Sequence, residues 1–153
     1  MEYRKSTSND CEKIYSLICD LENRTLPFEK FKKIYFEQLS SKNYYCIVGE
    51  NNNDILAFLN LRFEEQLHHC ECIAEIMEFS VNSAYRSKGI GKQMLDEAIH
   101  VAKEYGCSQI EVACNQLRTN THRFYLREDM NNFHYKFSRN LTGDICTENA
   151  LGR

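Results

Sequence analysis

Apolar residues along the chain recur with two alternating periods, and the changes of period predict its elements. Glu2-Tyr3-Arg4-Lys5 reads as a short strand. Ile14, Leu17, Ile18 and Leu21 then recur at helical spacing, and Asn9 followed three residues later by Glu12 predicts a capping-box start for that helix. Pro27 opens a second helix, where its missing N–H costs nothing, with Phe28, Phe31, Ile34, Tyr35 and Leu39 on the inner side. The period then falls to two. Tyr44 to Val48 and Ile55 to Phe63 are β-rich runs joined by residues 49–54, whose Gly and Asn side chains tolerate positive φ and predict a hairpin. A third strand, about Cys72 to Val81, follows Leu67-His68-His69. Ile90, Met94, Leu95, Ala98, Ile99, Val101 and Ala102 mark an amphipathic helix closed by Gly106 at C′. Ile110 to Cys114 is the next strand and residues 119–128 another helix. Phe133, Tyr135 and Phe137 alternate with His134, Lys136 and Ser138 as a last strand. The order β-α-α-β-β-β-α-β-α-β predicts a mixed α/β (α+β) class with one sheet and helices packed on it, and the tail after about Asn140 reads as loosely held.

Composition narrows the setting. A chain of 153 residues, 42% hydrophobic and 27% charged, is expected to form a single domain over residues 1–153 with a core that needs no staples. The net charge of −3 offers no diffuse positive field, which argues against nucleic acid as a partner. No apolar stretch approaches the roughly 20 residues that span a bilayer, and the first residues lack the apolar core of a signal peptide. The expectation is a cytoplasmic protein with no membrane partner. Most of the eight Cys sit in apolar runs such as Tyr44-Tyr45-Cys46-Ile47-Val48, where a reduced thiol acts as a small hydrophobe.

The chemistry concentrates between residues 75 and 92. A strand ending in Phe79-Ser80-Val81 runs through Asn82-Ser83-Ala84-Tyr85 into Arg86-Ser87-Lys88-Gly89-Ile90-Gly91-Lys92 and the long helix. Free backbone N–H groups and the positive end of a helix converge there, an arrangement that binds phosphate or pyrophosphate. The glycines let oxygens approach the backbone, and Arg86, Lys88 and Lys92 add charge. Gly91-Lys92-Gln93 lacks the Ser or Thr of a Walker loop, and Met94 breaks the dinucleotide pattern Gly-x-Gly-x-x-Gly. Two carboxylates, Glu75 and Glu78, precede the turn. Three residues apart, they face opposite sides of a regular strand and can share a cleft only if a bulge intervenes. His68, Cys70 and Cys72 alternate and could share a strand face, yet no fourth zinc ligand accompanies them.

The motif Arg86-x-x-Gly89-x-Gly91 after a strand ending Phe79-x-Val81 resembles the acetyl-CoA signature of the GNAT superfamily of N-acetyltransferases. Thr121-His122-Arg123-Phe124-Tyr125-Leu126-Arg127-Glu128 is similar to the second signature of that superfamily, a helix carrying a Tyr near the coenzyme A sulfur. Ile18-Cys19-Asp20-Leu21, Leu67-His68-His69, Glu75-Ile76-Met77-Glu78 and the segment 122–128 together resemble the aminoalkylphosphonate N-acetyltransferases.

The resemblance implies a GNAT acyl-CoA N-acyltransferase fold, a central, mostly antiparallel sheet flanked by helices. It also implies acetyl-CoA as cosubstrate, held by Phe79, Ser80, Val81 and residues Arg86, Ser87, Lys88, Gly89, Ile90, Gly91 and Lys92. Acetyl then passes by direct attack to a small primary amine, an aminoalkylphosphonate, with Tyr125 as acid for the departing thiolate. For the base it offers Glu75, which holds that position in related histone acetyltransferases, or Glu78, which lies nearer the acetyl end and is preferred. His68 and His69 are expected at the acceptor end of the cleft. A divalent metal is associated with that subfamily, but the sequence itself does not show one, and a homodimer enters by analogy alone. Rival readings are acetylation of a polyamine, amino acid or aminoglycoside, and a non-catalytic acyl-CoA-binding module. Three departures from the pattern stand out. Arg118 is found where many members have Asn, Ser87 where Gly is common, and Asp129-Met130 in place of Gly-Phe, with Asp tolerating the left-handed turn.

Overall fold

Two asparagines turn the first hairpin. Strands β2 (Tyr44–Asn51) and β3 (Asp54–Gln66) are joined by Asn52 and Asn53 at φ 50° and 62°, the pair of positive values that a two-residue type I′ turn requires. In this computed structural model, which describes residues 1–142, β1 (Glu2–Lys5) lies antiparallel to β2 and β4 (Glu71–Val81) antiparallel to β3. A short strand β5 (Gln109–Val112) runs parallel to β4, so the sheet has the order β1-β2-β3-β4-β5 and is mostly antiparallel, as expected. The tail expected to be loosely held falls, from residue 143 on, outside the described residues.

Helices α1 (Cys11–Glu22) and α2 (Phe28–Ser40) cover one face of the sheet, packing Ile14, Leu17 and Tyr35 against Val48, Ile55 and Phe58. Helix α3 (Ile90–Glu104) covers the other face and buries Met94, Leu95, Ala98, Val101 and Ala102, a stripe at the 3.6-residue period. Beneath α3, the Tyr3 ring leaves little room for a side chain at residue 49. A Cβ on Gly49 would lie 3.2 Å from a ring carbon of Tyr3 and 3.4 Å from the Met94 sulfur. Gly106, at φ 75°, ends α3 in the left-handed conformation that its position predicted.

Two compact units make up the chain, Met1–Ala113 and a second that begins at Cys114. The first carries the sheet and α1 to α3. The second carries α4 (Thr119–Arg127), after which Asp129 takes φ 60°, the left-handed turn anticipated for it. The last strand expected at 133–138 is absent: Phe133, Tyr135 and Phe137 are 80%, 79% and 93% exposed and form no ladder. Alternation proposes a strand, but only paired backbone groups make one.

The entry to α1 also differs from expectation. The capping box is Thr7 with Asp10, not Asn9 with Glu12: the Thr7 N–H donates to Asp10 Oδ2 at 2.7 Å, opening a single 3₁₀ turn (Ser8–Asp10) that leads into the helix. Asp10 prevails because it is buried and paired. Arg4 of β1 grips it with two nitrogens at 2.8 and 2.9 Å and reaches Glu50 of β2 with Nε at 2.6 Å. The Arg4 guanidinium therefore holds the Asp10 carboxyl below the usual range, against the opposing effect of burial. A depressed carboxyl contributes stability that is full above its unfolded pKa and is lost as pH falls through the folded one. Asp10→Asn is expected to cost about 2–3 kcal/mol at pH 7, and the difference from the parent protein to shrink as acid is added below about pH 4. Urea titrations at pH 7 and pH 3 check both.

Candidate active site

Strand β4 runs directly into the proposed anion turn. The Asn82 side chain accepts the Ala84 N–H at 3.0 Å and sets a short 3₁₀ turn (Ser83–Tyr85), after which Ser87 (φ 60°) and Gly89 (φ 83°) are both left-handed. Gly89 is the N-cap of α3, no acidic residue lies in the first helical turn, and residues 83–89 are open to solvent. Unsatisfied N–H groups at such a helix start attract anions. The three cations have separate anchorages. Arg86 Nε donates to the Val81 carbonyl at 3.0 Å, Lys88 lies 4.8 Å from the centre of the Tyr85 ring, and Lys92 pairs with Asp96 at 2.9 Å. Arg86 thus ties the turn to the end of β4.

Strand β4 outruns its pairing with the edge strand β5 before that turn. Register between β4 and β5 runs from Ile73 opposite Gln109 to Ile76 opposite Val112, and β4 continues to Val81 beyond it. Residues 77–81, including Phe79, Ser80 and Val81, therefore lie past the end of the parallel pairing.

A bulge places the two carboxylates on one face. Opposite β3, Glu75 pairs with Arg62, Ile76 with Leu61 and Glu78 with Asn60, so Met77 is an extra residue on β4. One inserted residue reverses the phase of the strand, and Glu75 and Glu78, which regular alternation would oppose, both face the side covered by α1 and α2.

Their surroundings differ. Arg62 donates to Glu75 at 2.6 Å, making an ion pair. Glu78 accepts instead from Asn60 Nδ2 at 2.9 Å, and the same amide donates to Gln38 Oε1 of α2 at 2.9 Å. Burial pushes the Glu78 carboxyl above its ordinary value, the Asn60 hydrogen bond pulls it back in part, and the charge of Glu22 adds to the rise. Ile18 of α1, Phe31, Tyr35 and Gln38 of α2, and Asn60 and Glu78 of the sheet line a cavity of about 190 Å³. A carboxylate raised by burial, with one amide and an apolar wall about it, is a better proton acceptor than an exposed one.

A model of the family described as "Acetyltransferase (GNAT) family" matches residues 11–129. This chain belongs to the GNAT acetyltransferases. It is 31% identical, over 92% of its own length and 91% of the other's, to the aminoalkylphosphonate N-acetyltransferase of Salmonella typhimurium. The crystal structure of a transcriptional regulator from Bacillus halodurans C-125 superposes with TM-score 0.85 at 27% identity, covering 92% of this chain and 99% of that one. Glucosamine-6-phosphate N-acetyltransferase of Arabidopsis thaliana shares the fold at TM-score 0.77 and 22% identity, covering 92% and 97%. As a GNAT enzyme, the protein is an acetyl-CoA-dependent N-acetyltransferase.

Other residues expected in the GNAT site stand as follows. Tyr125, in the second unit, is buried on α4, and burial raises its phenol above the ordinary value while the charge of Arg118 acts in the opposite sense. His68 and His69 occupy the β3–β4 turn with ring centres 4.2 Å apart, exposed, and Glu78 lies seven residues farther up β4 than the first residue of that strand, roughly 23 Å at strand rise. They do not line the cavity. Among the described residues no group of three or more His, Cys, Asp or Glu is placed to hold a metal ion. Asn60, Arg62 and Gln38 were not singled out from the sequence. Asn60 and Arg62 did leave a trace, as the two polar residues in the run Ile55-Leu56-Ala57-Phe58-Leu59-Asn60-Leu61-Arg62-Phe63, and a buried polar residue in such a run implies a partner.

The left-handed Ser87 carries a strain that Gly89 does not. Ser87→Gly is expected to raise stability by about 0.5–1 kcal/mol; an increase in the urea midpoint checks this, and a decrease would show that the hydroxyl supports the turn.

Proposed function

We propose that this enzyme transfers acetyl from acetyl-CoA to the primary amine of a small aminoalkylphosphonate by direct attack, with Glu78 as the general base. The observation that carries the base assignment is the contrast between the carboxylates on one face: Arg62 pairs with Glu75, whereas Glu78 borders the cavity and accepts a hydrogen bond from the neutral Asn60 amide. An acceptor ammonium near pKa 10 gives its proton to Glu78, directly or through one water. The freed lone pair attacks the thioester carbonyl, the carbon–sulfur bond breaks, Tyr125 protonates the leaving thiolate, and the second amine proton, lost as the amide forms, restores the Tyr125 phenol. Its phenol, raised by burial, is neutral at pH 7 and able to donate.

The turn from Arg86 to Lys92 and the first amides of α3 are the proposed pyrophosphate site. Backbone groups of Phe79 to Val81, beyond the β4–β5 pairing, are the proposed partners of the pantetheine arm and of the developing oxyanion. The phosphonate acceptor rests on the likeness to the Salmonella enzyme.

A second reading, an amine without an anionic group, is favoured by the cavity wall. Apart from Glu78, the only charged residue bordering the cavity among the described residues is Lys5, and its ammonium lies 4.9 Å from the centre of the Tyr45 ring. Thiol release from acetyl-CoA with 2-aminoethylphosphonate, 1-aminoalkylphosphonates, simple alkylamines and polyamines separates the two. Phosphonates are expected to give the highest kcat/KM, and alkylamines outpacing them would establish the second reading. With the best acceptor, Glu78→Gln is expected to lower kcat by roughly 10²–10⁴-fold and Glu75→Gln by far less; the reverse order would transfer the role to Glu75.

A further inference from the structure

Outside the proposed site, two thiols meet. Cys72, at the start of β4, and Cys107, between α3 and β5, have their sulfurs 3.2 Å apart, one thiol hydrogen-bonded to the other. Both are half-buried and free. Their backbones are also joined, since the N–H of Ser108 donates to the Cys72 carbonyl at 3.0 Å, next to the first β4–β5 register pair, Ile73 with Gln109. On β4, Cys72 sits opposite Glu65 and so faces the side covered by α3, the helix whose end leads through Gly106 to Cys107. Two fixed backbones thus present two sulfurs to each other, and a bond between them asks for an approach of little more than 1 Å.

We propose that Cys72 and Cys107 form a redox-active pair that closes to an intramolecular disulfide under peroxide or a small-molecule disulfide. With peroxide, one thiolate attacks an oxygen, the O–O bond breaks and a sulfenic acid forms. The second thiol then displaces that oxygen as water, so two thiols and one peroxide yield one disulfide and two waters. With a disulfide oxidant, one protein sulfur forms a mixed disulfide and the other expels the second small thiol. Burial and the neighbouring Cys72 push the Cys107 thiol up to about 12, so closure quickens as pH rises.

The cross-link bridges about 35 residues, the whole of α3 and the turn before it included, and removes much of their freedom in the unfolded chain. It lies at the joined end of β4 and β5, roughly 30 Å along β4 from the turn at Val81. It therefore tightens the root of α3 without touching the glycines.

Peptide mapping of the full chain after hydrogen peroxide, and separately after oxidised glutathione, tests the pair. Expected are a Cys72–Cys107 linked peptide reversed by dithiothreitol and a rise in Tm of roughly 5–10 °C in the linked form. Cys70→Ser is expected to leave the link in place, and Cys72→Ser or Cys107→Ser to abolish it. Links through Cys70 or Cys114, links between two chains, or oxidation of Cys72 and Cys107 to separate acids or adducts would overturn the proposal. Because the parent protein alone yields the map, a variant that fails to fold does not obscure the answer.

Discussion

One extra residue in one strand governs the site. A β-strand sends successive side chains to opposite faces, so two carboxylates three residues apart cannot share a side without a break in register. Met77 supplies that break: Asn60 pairs with Glu78 and Leu61 with Ile76, and from Glu78 onward β4 has changed phase. Every residue downstream depends on it. Ser80 is opposite Phe58 and buried beneath α1 and α2, while Phe79 and Val81 are opposite Leu59 and Ala57 and face α3. Bulges recur where a strand must re-aim a side chain.

Once the two carboxylates share a face, their neighbours separate them chemically. Glu75 is matched by a guanidinium across the strand pair, and Glu78 by an amide that is itself held by Gln38 of α2. Asn60 can donate twice and offers no positive charge, so it fixes the position of the Glu78 carboxylate while offsetting only part of the penalty of burial. Two acidic groups of one kind thereby acquire different partners, and it is Glu78 whose carboxyl burial raises, a pattern that marks a candidate proton acceptor. The cavity under α1 and α2 opens at Glu78, and the left-handed turn at the end of β4 is the proposed anion-binding end of the same strand.

Legibility in the sequence followed locality. The Asn52-Asn53 turn, Gly106 closing α3 and the left-handed Asp129 are decided by single side chains and their φ preferences, and all were readable. The glycine turn was readable because strand, turn and helix signals abut. The bulge was not. A slip of one residue is fixed by pairing with β3, and in the run Glu75-Ile76-Met77-Glu78 it shows only as two consecutive positions that fit neither phase. The Thr7–Asp10 box prevailed over Asn9–Glu12 through Arg4, a residue on a different element. Phe133, Tyr135 and Phe137 alternate as a strand does, yet such a run remains irregular without a ladder. His68 and His69 read as cleft residues because resemblance aligned them, whereas the hairpin carries them to its tip.

The slip at Met77 delivers Glu78 to a buried site where, among the described residues, an amide and not a cation bonds its carboxylate. A carbon-detected NMR titration of the Glu78 side-chain carboxyl measures that directly. The account predicts a midpoint clearly above the ordinary glutamate value of 4.5, rising further when Asn60→Leu removes the hydrogen bond. A midpoint at or below that value, unmoved by the substitution, would contradict it.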